Sequence, residues 1–341
     1  MAVSCTPPEP EKQYTSIEGD ILPFTTEVAG KRVSGAKVTI LERPDLSFTT
    51  GEDAHFVFDG IAVGTDVTLV VEAAGFKSTQ TATLKVGPKG IHPFPIQVVS
   101  NELYELLAAL MPLAPQEDRF CAIATTAARF GGGLYVALRQ GMPGVQVLLE
   151  PAARPESGPI YFNDDVIPDK NQPSTSIDGG VLYYRVPPGD YVMRASKAGA
   201  VFSEVRFKCR AGYVVNAGPP LGVMAHVKSP DHSLGVERAA DEYSEVTDAL
   251  CEKTAVCVNE REMSENYKAA TIVSCKQHFR NTWAFVDEAC AASSLIKEKA
   301  KATYECRTAS CADNLGEDVC PDQEAAFRAA EEVYAACIAS R

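Results

Sequence analysis

The chain of 341 residues is long enough for two or three domains, and its 45% hydrophobic and 23% charged residues are those of a globular protein. A formal net charge of −13 argues against nucleic acid and anionic lipid head groups as partners. No apolar run approaches the ~18 residues needed to span a bilayer.

Residues 1–15 carry Cys5 in "MAVSC" and continue as "TPPEPEKQ" over 6–13, an extended tether with no hydrophobic side chains to bury. From Ser16 the pattern is that of strands. In "GKRVSGAKVTILE", Val33, Ala36, Val38 and Ile40 alternate with polar neighbours, the period of a half-buried strand. "TTGEDAHFVFDGI" gives a turn and another such strand with Phe56 and Phe58 inward, and "TDVTLVVEAAGFKSTQTATLKV" gives two more around an Ala-Ala-Gly turn. Short strands with turn signals every ~8–12 residues predict an antiparallel sandwich over 16–99. "SNELYELLAALMP" predicts a connecting helix within 100–117, capped by Ser100 or Asn101 and ended by Pro112. Over 118–228 a similar order returns: "PGVQVLLE" answers "SGAKVTIL", and "YYRVPPGDYVMRASKAGAV" answers "FDGIAVGTDVTLVVEAAGF", an internal duplication of topology.

The run from Gly30 to Val86 resembles the carboxypeptidase regulatory-like domain, a seven-stranded transthyretin-like sandwich, and about Leu134–Ala217 resembles it less closely, with a longer loop. The resemblance implies a non-catalytic β-module of the kind carried as an accessory unit by cell-envelope proteins. It implies no particular ligand.

Over 236–341 the strand alternation stops. Ile272, Cys275, Phe279, Trp283, Val286 and Cys290 fall at helical spacing, as do Phe327, Ala330, Tyr334 and Ile338 after a first-turn Pro321. This segment holds most of the acidic excess and eight of the 11 cysteines: Cys251, Cys257, Cys275, Cys290, Cys306, Cys311, Cys320 and Cys337. Cys121 and Cys209 bracket the middle segment and Cys5 stands alone. Thiols sorted in this way predict disulfides and an oxidising compartment. Cys275 and Cys290 lie ~22 Å apart on one continuous helix, and Cys251 and Cys257 are also too distant on theirs, so the bonds must cross between helices. Cys5, in "AVSC" before a Pro/Glu tether, resembles the end of a bacterial lipobox. A lipidated Cys5 accounts for the odd cysteine count and makes a lipid anchor the only membrane attachment expected.

The histidines, His55, His92, His226, His232 and His278, form no HExxH, HxH or HxxE pattern. An iron site could draw on His226 and His232 with Tyr183 or Tyr213, and Ser294 and Lys297 match a bare SxxK without its supporting elements. No CxxC spacing is present, so disulfides are favoured over zinc. The Gly131–Gly133 run precedes a strand and reads as a turn. "FNDDVIPDKN" offers Asn163, Asp164, Asp165, Asp169 and Asn171 as oxygen ligands for calcium, although Asn and Asp also serve simply to cap loop turns. Tyr161 and Phe162 are candidates for a glycan platform.

The expected architecture is therefore two tandem antiparallel transthyretin/Ig-like β-sandwiches followed by a small disulfide-stapled helical bundle. The expected function is a non-enzymatic lipoprotein of the bacterial periplasm, outer membrane or cell surface, serving binding, adhesion or assembly with a protein or glycan ligand and needing no cofactor. Glycan binding through loops of the second sandwich and a metal-dependent enzyme on the sandwich loops are the alternatives. Convergence of all five histidines around one cleft with carboxylates would overturn the non-enzymatic reading.

Overall fold

The computed structural model describes residues 13–24, 32–88, 90–111, 113–129, 141–198, 200–218, 222–225, 244–259, 272, 275–276, 290–308 and 320–340. It is mostly β-sheet, a β-sandwich body with a small helical part. The first half contributes β1 (Tyr14–Pro23), β2 (Lys37–Ile40), β3 (Arg43–Thr49), β4 (His55–Ala62), β5 (Asp66–Val67), β6 (Leu69–Glu72), β7 (Thr79–Thr81), β8 (Leu84–Lys85) and β9 (Ile91–Val98). Helix α1 (Asn101–Ala109) follows, and the Ser100 side chain accepts a hydrogen bond from the Leu103 N–H at 3.1 Å, which decides the capping residue. The second half contributes β10 (Cys121–Thr126), β11 (Gln146–Glu150), β12 (Ile160–Phe162), β13 (Pro168–Asp169), β14 (Gly180–Val186), β15 (Gly189–Ser196), β16 (Val205–Cys209) and β17 (Val214–Ala217).

The alternation of the sequence becomes the inner face of these sheets. Ile17, Ile21, Val38, Ile40, Phe56 and Phe58 are all buried in one core with Ile123, Val147, Leu149, Met193 and Phe207 of the second half. Gly19 lets β1 and β9 run close together in parallel register: a Cβ there would lie 1.9 Å from the Phe94 carbonyl oxygen.

The pairing pattern repeats. β1 lies between antiparallel β4 and parallel β9, and β10 lies between antiparallel β14 and parallel β17. The two halves then meet edge to edge. β7 pairs in parallel with β17, giving one nine-stranded sheet in the order β13-β12-β14-β10-β17-β7-β6-β2-β3. At this seam Thr79, Gln80 and Thr81 are buried, and the Gln80 side chain donates to the Lys208 carbonyl and accepts from Arg210 Nε at 2.8 Å. Lys208 Nζ reaches Glu42 at 3.0 Å, and Asn216 Nδ2 donates to the Gln97 carbonyl at 2.8 Å. Burial pushes the Glu42 carboxyl up, but hydrogen bonds from Thr68 and Lys208 outweigh it and hold the group below its ordinary value. The far edge of the sheet, β3, carries an Arg43–Asp45 ion pair and Pro44, features that discourage pairing with another chain.

The Cys121–Cys209 disulfide joins β10 to β16 and so ties together the two sheets of the second half. The helical part comprises α2 (Ser244–Asn259), α3 (Ser293–Thr308) and α4 (Pro321–Ala339). Disulfides Cys251–Cys275, Cys290–Cys337 and Cys306–Cys320 run between its segments, with Cα separations of 5.7, 6.1 and 6.2 Å. Neither Cys275–Cys290 nor Cys251–Cys257 is bonded. Cys5, Cys311 and the Cys257 side chain lie outside the described residues, as do Phe279, Trp283, Val286 and the Ile338 side chain. Ile296, Ala300, Tyr304, Phe327, Ala330 and Tyr334 form a second core, into which Leu22 of β1 also packs.

Candidate functional site

The second β half carries an open groove of about 770 Å³ between β11, the end of β15 and the segment before β16. Its lining includes Gln146, Ser174, Arg194, Lys197, Phe202 and Glu204, with small residues such as Ala195 and Ala198 between them. Buried hydroxyls hold the rims. Thr175 Oγ1 donates to the Met142 carbonyl at 2.6 Å and accepts from the Val145 N–H at 2.8 Å, which fixes the Gly144–Gln146 turn. Ser203 Oγ donates to the Gly222 carbonyl at 2.9 Å and accepts from the Met224 N–H at 3.0 Å. On the outer face of the sheet, Arg194 lies between two carboxylates, bonded to Glu150 and, through Nε at 2.6 Å, to Glu204. Arg194 holds the Glu204 carboxyl below its ordinary value. Leu148, directly opposite Arg194 in register, is 46% exposed. The groove thus presents donors and acceptors beside an exposed apolar side chain.

A second cluster lies on the β4-β1-β9 sheet. Asp20 is buried and held by Arg32 at 2.6 Å, and it accepts a hydrogen bond from His55 Nδ1 at 3.0 Å. Glu18 lies between two imidazoles, 3.8 Å from His55 Nε2 and 3.2 Å from His92 Nδ1. The Asp20 hydrogen bond raises the His55 pKa, and burial opposes it. His55 and His92 therefore converge with two carboxylates, while His226, His232 and His278 lie outside the described residues. Among the described residues no group of three or more His, Cys, Asp or Glu side chains is placed to hold a metal ion.

The candidate calcium loop uses its oxygens on its own backbone. Asn163 Oδ1 accepts from the N–H groups of Asp165 and Ile167 at 3.0 Å each, Asp169 Oδ1 accepts from Asn171 N–H at 2.8 Å, and Asp164 Oδ1 accepts from Ile177 N–H at 3.4 Å. These are the contacts of turn-forming Asx residues. The glycan platform expected at Tyr161 and Phe162 is corrected. Both rings are buried, and the Tyr161 hydroxyl accepts from the Val147 N–H at 3.1 Å, because β12 packs inside the sandwich between β13 and β14. Tyr183, one candidate iron ligand, is buried and donates to the Val147 carbonyl at 2.8 Å. Tyr213, the other, lies beneath the Arg210 guanidinium at 3.8 Å. Ser294 is exposed on α3. Sequence reasoning missed the groove, whose residues come from two strands and the loops beside them and carry no motif, and it missed the Glu18 cluster, whose members lie far apart in the chain.

No protein-family model matches this sequence, and no curated protein matches it. Among solved structures the chain is similar to the Bacillus anthracis TIE protein, at 12% identity and TM-score 0.22, covering 62% of this chain and 34% of that one. It is also similar to GBS52, the minor pilin of Streptococcus agalactiae, at 8% identity and TM-score 0.20, covering 63% and 98%. The streptococcal ancillary pilin matches at 10% identity and TM-score 0.19, covering 62% and 68%. The chain thus spans about a third of the TIE protein, and at TM-scores of this size these likenesses carry no functional argument. The disulfides do carry one. They place the chain in an oxidising, extracytoplasmic compartment.

Proposed function

We propose that this chain is a non-enzymatic binding module of the bacterial cell envelope and that its ligand is a glycan held in the groove beside Arg194. The observation that carries this reading is a concave site on the second β half, with rims fixed by buried hydroxyl hydrogen bonds before any ligand arrives. Pre-organised polar groups lose little freedom on binding, which is the main cost of recognising a hydroxyl-rich ligand. Gln146, Ser174 and Lys197 offer hydrogen bonds, and the Arg194–Glu204 pair offers fixed donors and acceptors on one plane. The exposed Leu148 supports a second reading, a protein segment laid along the same face.

In the finer form of this proposal, 16–99 and 118–228 are tandem transthyretin-like sandwiches related to the carboxypeptidase regulatory-like family, joined through 100–117. Residues 236–341 form the stapled helical domain. Residues 1–15 tether the module to a lipid at Cys5, and neither calcium nor any other cofactor takes part. A glycan array followed by calorimetry tests the ligand. Wild type should bind at least one glycan class, and Arg194→Ala or Gln146→Ala should weaken that binding by ~10-fold or more. Unchanged affinity in both variants would move the site elsewhere.

A further inference from the structure

Helix α4 places the carboxyl group of Glu331 in a buried position against the second β half. Arg129, which follows β10, lies over the Phe327 ring at 5.4 Å and points NH1 at Glu331 Oε2, 3.6 Å away. Arg129 is 5% exposed and Glu331 4%. At 3.6 Å the pair is in ionic contact without a formed hydrogen bond. The other carboxylate oxygen, Glu331 Oε1, is buried with no hydrogen-bond partner among the described residues. An ionised carboxylate in this position recovers little of the solvation it has lost.

Among the described residues, the charged and titratable groups that act on Glu331 come from several elements. Arg328 and Glu332 lie on α4 itself, Tyr304 on α3, Arg129 after β10 and Lys197 after β15. Burial is the largest influence and pushes the Glu331 carboxyl up to about 7, helped by Glu332 and opposed by Arg129, Arg328 and Lys197.

We propose that Glu331 is a proton-controlled latch between the helical unit and the second β half. With its proton the side chain docks as a neutral acid beneath Arg129, and without it the buried charge drives α4 off the β body. Among the described residues, Leu22 is the one buried side chain of the β body in the apolar core of the helical unit, so in this proposal the unit leaves without unfolding. Lys197 belongs to both places, since it lines the groove and also acts on Glu331, so the state of the latch bears on the groove wall.

The sign is fixed by the shift. The carboxyl holds its proton more tightly when docked, so docking is strongest in acid, weakens as pH rises above the ordinary glutamate value, and reaches its weakest above about 7. Arginine modification by a glyoxal reagent, mapped by mass spectrometry on the intact disulfide-bonded chain, reads docking directly. The rate at Arg129 is taken relative to that at Arg43, which is 62% exposed, so that the pH dependence of the reagent cancels. From pH 6 to pH 8.5 the relative rate at Arg129 should rise about tenfold in wild type. Glu331→Gln should hold it low at both values, and Glu331→Met should do the same if the amide disturbs folding. A flat wild-type ratio, or a rise that survives in a folded variant, would overturn the latch.

Discussion

The β body and the helical unit answer the same physical problem in different ways. The β body shares one sheet and one continuous core between its halves, with the polar side chains of the seam bonded across it. Among the described residues the helical unit has a core of about a dozen side chains, supplemented by three disulfides and the buried Arg307–Glu324 pair. A small unit buries too little apolar surface to offset the entropy of ordering its chain, so covalent links must constrain the unfolded state instead. The same bond therefore matters differently in the two regions.

Removing Cys290–Cys337, by Cys290→Ser with Cys337→Ser, opens a 47-residue loop and should cost about 4 kcal/mol in the loop-entropy account. Most of the helical ellipticity at 222 nm should vanish at 37 °C while the β signal persists. Removing Cys121–Cys209, which spans 88 residues, should cost a similar ~4–5 kcal/mol yet leave the β body folded, with a lower urea midpoint. Equal behaviour of the two variants would erase the contrast. A core truncation sharpens it further. Ile123→Ala, at a fully buried site in the second half, should destabilise by ~2–4 kcal/mol. A fluorophore on the first half should report the same shifted midpoint, because the two halves share a sheet. Separate transitions would show that the seam does not couple them.

Much of this was legible in the chain. The alternation around Val38, Phe56 and Phe58 marked inner faces and Ser100 marked a helix start. These are local signals, carried by the period of a single element. The seam was not legible, because Thr79, Gln80 and Thr81 look like a solvent-facing strand until β17 covers them. Tyr161 and Phe162 misled for the converse reason: a loop-flanked aromatic pair looks exposed, and only pairing with β14 shows that it is inside. The groove and the Glu18 cluster exist only once distant loops and strands are assembled. Gln80→Ala tests the seam reading directly. It removes the partners of Arg210 and of the Lys208 carbonyl in a buried place and should cost ~1–3 kcal/mol, seen as a lower midpoint for both halves together.

The smallest effect belongs to His55, which tests whether the polar cluster of the first half stabilises the fold at all. Its pKa is raised in the folded state by the Asp20 hydrogen bond, against the effect of burial. Protonated His55 therefore favours the fold. The contribution is fully present below the ordinary histidine value of about 6.5 and is lost as pH rises through the higher folded value. Its ring is a third exposed, so water screens the interaction and the effect is modest. The melting temperature of the wild-type β body should fall slightly as pH rises above that value, and in His55→Gln it should not, because an amide keeps a donor for Asp20 but does not titrate. The Glu331 latch acts mainly below pH 7 and the His55 effect above 6.5, so two melting profiles, of His55→Gln and of Glu331→Gln, assign each part of the pH dependence to its own region. A profile for His55→Gln that matches wild type would mean that the imidazole adds nothing to the hold on Asp20, which Arg32 also grips.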